Sequence, residues 1–140
     1  MRIGIVSSYF YPWYGGITEH VYYQYKELRN RGYDVKLITP FDGSGVLETR
    51  ENLIQIGKPI SLLLNGSVVK VPLLYNGKRR VGQIMHDYNF DILHLHQPIF
   101  CMLSLAFLNY IRQKRIEGQR VPKIVGTFHA SGGGTERFLI

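Results

Sequence analysis

The stretch RIGIVSSYFYPWYGGITEHVYYQYKELRNRGYDVKLIT, residues 2–39, holds the reading on which the fold depends. Arg2–Ser7 is a β-branched run ending in turn-prone serines, which suits a strand buried on both faces. The loop Ser8–Gly16 follows. From Ile17 to about Arg31, the apolar positions Ile17, Val21, Tyr25 and Leu28 recur on one face at helical spacing. Arg29 and Arg31 suit the negative end of that helix's dipole, and Gly32 supplies its stop. Asp34–Thr39 reads as a second strand, halted by Pro40. Strand, crossover helix and strand form a βαβ unit, which lays two parallel strands in one sheet by a right-handed crossover.

The same alternation continues downstream. Asn52–Ile56 and Ser67–Val71 read as short strands, with Asn65-Gly66 a turn between apolar segments. The spacing of Val81, Ile84, Met85 and Tyr88 predicts a helix over Lys78–Asn89 with one buried stripe. Asp91–Leu95 is a further strand. Pro98 to about Glu117 predicts a buried helix, apolar nearly all round until its basic last turn of Arg112, Lys114 and Arg115. Lys123–Phe128 reads as the next strand. The pattern predicts an α/β fold: an open, mostly parallel sheet with helices on both faces.

Bulk properties bound the function. The 140 residues suit one compact domain, and 45% hydrophobic content supplies a core. A net charge of +7 favours acidic partners: phosphates, anionic lipid surfaces or nucleic acid. No nucleic-acid motif accompanies the charge, so nucleic acid is not an expected partner. Cys101 is the single cysteine, which rules out a disulfide within the chain. Met1–Val6 is too short for the apolar core of a secretory signal, so a cytoplasmic setting is expected. The apolar run Pro98–Ile111 falls short of the roughly 20 residues that cross a bilayer, so any membrane contact is expected to be peripheral.

Three stretches carry candidate chemistry. In the loop Tyr9–Gly16 (YFYPWYGG), paired glycines at a helix start let a ligand approach free backbone N–H groups that attract phosphate. Tyr9, Tyr11, Trp13 and Tyr14 offer flat surfaces for a sugar ring. An ordinary Gly-Gly turn with aromatic packing explains the same residues. The first glycine of a dinucleotide-binding fingerprint is missing, which weighs against a nicotinamide cofactor. His94 and His96 share one strand face in DILHLHQP, residues 91–98, as a metal pair would. Further ligands would have to come from His129 or His20. The default is hydrogen-bonded structural histidines, and no metal is expected. GTFHAS, residues 126–131, ends a strand in His129 at the same sheet edge.

The order MRIGIVSSY (1–9), GGITEHV (15–21), NGSVVKV (65–71), DILHLHQP (91–98) and GTFHAS (126–131) resembles the retaining GT-B glycosyltransferases of glycosyltransferase family 4. NGSV points more narrowly to the phosphatidylinositol mannosyltransferase branch. The resemblance implies an N-terminal, Rossmann-like, acceptor-side domain over residues 1–140, partnered by a C-terminal domain of the same protein that grips the sugar nucleotide. The implied donor is a nucleotide diphosphate sugar, with no tightly bound cofactor. The implied acceptor is a hydroxyl, of the lipid or inositol type.

Residue by residue, the resemblance gives Gly15 and Gly16 to the donor diphosphate and His129 to the donor sugar near the reacting carbon. It gives Tyr9, Asn65, Ser67 and Lys70 to the acceptor. Lys70 stands where that branch has an arginine, keeping the charge without the bidentate grip. Leu64 replaces a tyrosine. Lys78, Arg79 and Arg80 match a basic segment that docks on anionic membranes, implying a place on the inner face of the plasma membrane. A solvated surface helix explains these three equally. Ser131–Thr135 (SGGGT) reads as either a phosphate loop or a flexible stretch. Two rivals stay open: a non-enzymatic anion- or lipid-binding α/β module, and a metal-dependent hydrolase built on His94, His96 and His129.

Overall fold

In a computed structural model that describes residues 1–98 and 101–129, the opening βαβ unit forms as its pattern predicts. It consists of β1 (Arg2–Val6), α1 (Gly16–Asn30) and β2 (Asp34–Thr39). A short 3-10 turn over Leu47–Asn52 leads to β3 (Leu53–Gln55). A hairpin of β4 (Lys58–Leu64) and β5 (Ser67–Leu73) precedes α2 (Gly77–Tyr88). Then come β6 (Ile92–His96), α3 (Met102–Ile116) and β7 (Lys123–Thr127). The main sheet runs β3-β2-β1-β6-β7, with every pairing parallel. Strand order reverses between β1 and β6. Open α/β sheets bind ligands at such a switch, beyond the carboxyl ends of the strands.

Two apolar layers cover the sheet, as the alternation of strand side chains requires. On one face Ile3, Ile5, Val35 and Leu37 pack with Val21 and Tyr25 of α1. On the other, Val6, Ile38, Leu93 and Leu95 pack with Val81 and Ile84 of α2 and Leu103, Phe107 and Ile111 of α3. Full burial of each such side chain stabilises the fold by about 1.5–3 kcal/mol. This alternation has a consequence for the site. Because Leu93 and Leu95 face α2 and α3, His94 and His96 face α1.

Two elements differ from the sequence reading. β4 is absent from it, because Ile60 and Leu62–Leu64 show no alternation and no buried face to register. The turn that makes the hairpin is Asn65-Gly66, both residues at positive φ (50° and 80°), the geometry of a tight type I′ connection. The second difference is α3, which starts at Met102 rather than Pro98. Pro98 lies in a turn after Gln97, whose φ of 52° is incompatible with a helix. Nor is α3 buried all round. It rests on one face of the sheet, so Leu103, Phe107 and Ile111 are covered while Met102, Leu105 and Ile116 are exposed. Among the described residues no helix is long and apolar enough to cross a membrane.

Candidate functional site

β1, β6 and β7 all end at the edge where α1 begins, and the glycine loop and the histidines meet there. Gly15 occupies the N-cap position of α1 and offers no side-chain cap. The first intrahelical bond is Glu19 N–H to the Gly15 carbonyl, at 3.1 Å. The amides of Gly16, Ile17 and Thr18 precede it and therefore lack intrahelical acceptors. A Cβ added at Gly15 or Gly16 would meet nothing within 4 Å. Gly15 has φ 166°, extended backbone open to any residue. Neither conformation nor internal packing requires glycine at these two positions.

The aromatic residues of the loop divide into two groups. Tyr11 is buried, its phenol donates to the Glu19 carboxylate, and its ring meets Phe10, Tyr14 and Tyr22 edge-on at 5.2–5.7 Å. The bond to Glu19 raises the Tyr11 pKa. This ring braces the loop and is no platform for a sugar, contrary to the sequence reading. Tyr14 and Trp13 stay exposed, with the Lys70 ammonium 4.7 Å from the Trp13 ring centroid. Tyr9 is half-buried. Burial and the neighbouring Cys101 thiol push its phenol pKa up, while the Lys70 backbone amide works the other way. Tyr9, Trp13 and Lys70 thus come together where β5 passes the glycine loop. Asn65 and Ser67 do not join them. Both sit at the exposed hairpin tip, Ser67 about 10 Å along β5 from Lys70 at an ordinary strand rise.

The histidines form one hydrogen-bonded chain. Thr127 Oγ1 lies 2.7 Å from His94 Nε2, and His94 Nδ1 lies 2.7 Å from Gln24 Nε2. Gln24 Oε1 is 2.9 Å from His96 Nε2, and His96 Nδ1 is 2.7 Å from His129 Nε2. His94 stacks on His96 and His96 on His129, with centroids 4.8 and 5.0 Å apart. His20 closes the cluster edge-on to His96 and His129. Burial, reinforced by the neighbouring histidines, pushes the His96 pKa down to about 3 and lowers those of His94 and His129. The network is therefore neutral near pH 7. Both ring nitrogens of His94 and His96, and Nε2 of His129, are engaged within it, and among the described residues no group of three or more His, Cys, Asp or Glu is arranged to hold a metal ion.

Gln24 is absent from the sequence reading. Its one signal was a polar pair, His20 and Gln24, one helical turn apart beside the apolar stripe of α1. Lys78, Arg79 and Arg80 are exposed in the first turn of α2, away from the histidines. Ser131–Thr135 lies outside the described residues.

Residues 14–139 match the model of the family described as Glycosyltransferase Family 4. A phosphatidyl-myo-inositol mannosyltransferase of Mycobacterium leprae (strain TN) is 33% identical over 131 residues, 94% of this chain and 32% of the relative. The protein of that name from Mycolicibacterium smegmatis is 31% identical over 131 residues, 94% of this chain and 31% of its own length. A GDP-mannose-dependent alpha-mannosyltransferase of Corynebacterium glutamicum is 30% identical over 122 residues, 83% of this chain and 27% of the relative. The chain spans about a third of the length of the curated relatives it matches. The family match over nearly the whole chain agrees with the parallel sheet and its glycine loop, and the chain belongs to glycosyltransferase family 4.

Proposed function

We propose that this chain is the Rossmann-like acceptor-side domain of a retaining GT-B glycosyltransferase that moves a hexose from a nucleotide diphosphate sugar to an acceptor hydroxyl. One observation carries the reading furthest. Two glycines that neither the fold nor the packing requires stand at the open start of α1, on the sheet edge where His129 ends the histidine chain. Free amides at Gly16 and Ile17 suit a departing diphosphate, and a helix start is the positive end of a dipole. His129 lies against the donor sugar in this reading. Tyr9 stacks on the acceptor ring, Lys70 meets an acceptor phosphate, and Asn65 and Ser67 reach the acceptor from the hairpin tip.

The donor is of the GDP-mannose type and the acceptor an inositol lipid, after the names of the relatives. The acceptor lipid places the protein on an anionic membrane at the cytoplasmic face, with Lys78, Arg79 and Arg80 as contacts. A C-terminal domain of the same protein supplies the nucleotide pocket.

The test is hexose transfer from GDP-mannose to inositol lipid by the protein that carries this chain, beside the 140 residues alone. We expect transfer by the former, none by the latter, and a loss of about 100-fold or more in His129→Ala with the fold intact. Near-normal activity in His129→Ala would remove that residue from the site. Vesicle binding without transfer by the whole protein would favour a non-enzymatic lipid-binding module.

A further inference from the structure

The histidine chain has a polarity, and only one of its members sets it. Imidazoles and hydroxyls either donate or accept at a given atom, but an amide has one end that donates and one that accepts. Gln24 is the amide in this chain. Its Nε2 faces His94 Nδ1 at 2.7 Å, so His94 accepts there and keeps its proton on Nε2, pointing at Thr127 Oγ1. Its Oε1 faces His96 Nε2 at 2.9 Å, so His96 donates there and is left with a lone pair on Nδ1. That lone pair faces His129 Nε2 at 2.7 Å, so His129 donates from Nε2.

All three rings then carry the Nε2–H form, the intrinsically preferred tautomer of neutral histidine. Turning the amide over would force all three into the less favourable Nδ1–H form. The amide orientation is thus favoured three times over, and His96, 1% exposed, has no water to relax the constraint.

We propose that Gln24 is a positioning residue that fixes His129 as the Nε2–H tautomer, so that His129 meets its ligand through the Nδ1 lone pair and accepts a hydrogen bond from a hydroxyl. The inference rests on the reading of His129 as a residue facing the sugar donor. It reaches a residue of α1 that acts only through two other side chains. A ring held in place without this device would meet the same hydroxyl in either tautomer, and the Nδ1–H fraction would donate to the hydroxyl instead of accepting from it.

The measurement is nitrogen NMR of histidine-labelled chain at about pH 9, well above the ordinary histidine range. Wild type is expected to show the Nε2–H form at His94, His96 and His129. Gln24→Leu removes both ends of the amide and is expected to leave His129 a mixture of tautomers. Gln24→Glu offers two acceptors: His129 is expected to stay Nε2–H while His94 alone turns to Nδ1–H. This variant also keeps the test open if Gln24→Leu fails to fold. An Nδ1–H form at His129 in wild type, or a single unchanged tautomer in Gln24→Leu, would overturn the proposal.

Transfer by the whole protein separates this idea from the functional reading beneath it. Gln24→Leu is expected to lower kcat about tenfold with little change in donor KM, and Gln24→Glu to recover most of it at high pH. Tautomers that shift as expected with kcat unchanged would uphold the network and remove His129 from the transfer step.

Discussion

A Cβ built on Gly4 would come within 2.7 Å of Leu93 Cδ1 and 3.2 Å of the Phe90 ring, whereas one built on Gly16 would meet open space. The first glycine therefore serves packing, and the second is free to serve something outside the domain. Gly4→Ala is expected to destabilise the chain by about 1–3 kcal/mol, the usual result of overfilling a tight core. Gly16→Ala is expected to leave the melting temperature unchanged or slightly raised, since alanine favours helix over glycine by up to about 1 kcal/mol. The same change should raise the donor KM of the whole protein about tenfold. Calorimetry on both variants with donor kinetics on the second checks this pair, and normal KM in Gly16→Ala would detach the glycine from the diphosphate. The place of the glycine pair and of His129 at one sheet edge was legible in the sequence, because the order of strand, loop and helix is enough to put them there. Gln24 was not: a half-exposed glutamine on a helix gains its meaning from His94 and His96, some 70 positions away.

Among the elements, α2 is the one whose charges oppose its own geometry. Lys78, Arg79 and Arg80 crowd its first turn, where the dipole is positive and no acidic residue offsets it. Such a placement costs helix stability and suits an anionic surface. Replacing all three with glutamine should cut binding to phosphatidylserine- or phosphatidylinositol-containing vesicles about 100-fold, at about 1 kcal/mol per cation near the surface. The fold should hold, because the buried stripe of Val81, Ile84 and Met85 is untouched. A cosedimentation assay decides it, and unchanged binding would return these residues to an ordinary solvated face. The helices α1 and α2 could be read from sequence because each has one apolar stripe and a polar remainder. β4 could not. Leu62, Leu63 and Leu64 are consecutive, apolar and exposed, so neither period nor burial marked a strand. The start of α3 failed for a related reason, since continuous apolar residues carry no boundary and the positive φ of Gln97 is invisible in composition.

For the molecule as a whole, the histidine chain joins α1, β6 and β7, so its protonation state bears on global stability. Desolvation holds His96 neutral in the native state down to about pH 3, while an unfolded chain protonates the same residue near 6.5. Below 6.5 the unfolded state therefore binds protons that the native state refuses. The stability that His96 contributes is present above that pH and lost as pH falls toward 3, by about 1.4 kcal/mol per unit while the difference lasts. His94 and His129, also lowered, act in the same direction. Melting temperature is expected to drop steeply between pH 6.5 and 4, and His96→Gln should start lower at neutral pH yet fall less steeply. Parallel curves for the two proteins would show that acid acts elsewhere. The architecture at this scale was the most legible part, since strand and helix periods alternate along most of the chain and a parallel sheet follows from that alternation.

β1 lies between β2 and β6, with Ile5 and Val6 wholly enclosed, whereas among the described residues the β4–β5 hairpin forms a two-stranded sheet of its own. The two regions therefore keep different clocks. Deuterium reaches the amides of β1 only when the whole sheet opens, and reaches the hairpin through local fraying that leaves the sheet closed. The slow clock reads the stability of the fold, and the fast one measures how freely the hairpin can change shape while the carboxyl edge of the sheet stays rigid.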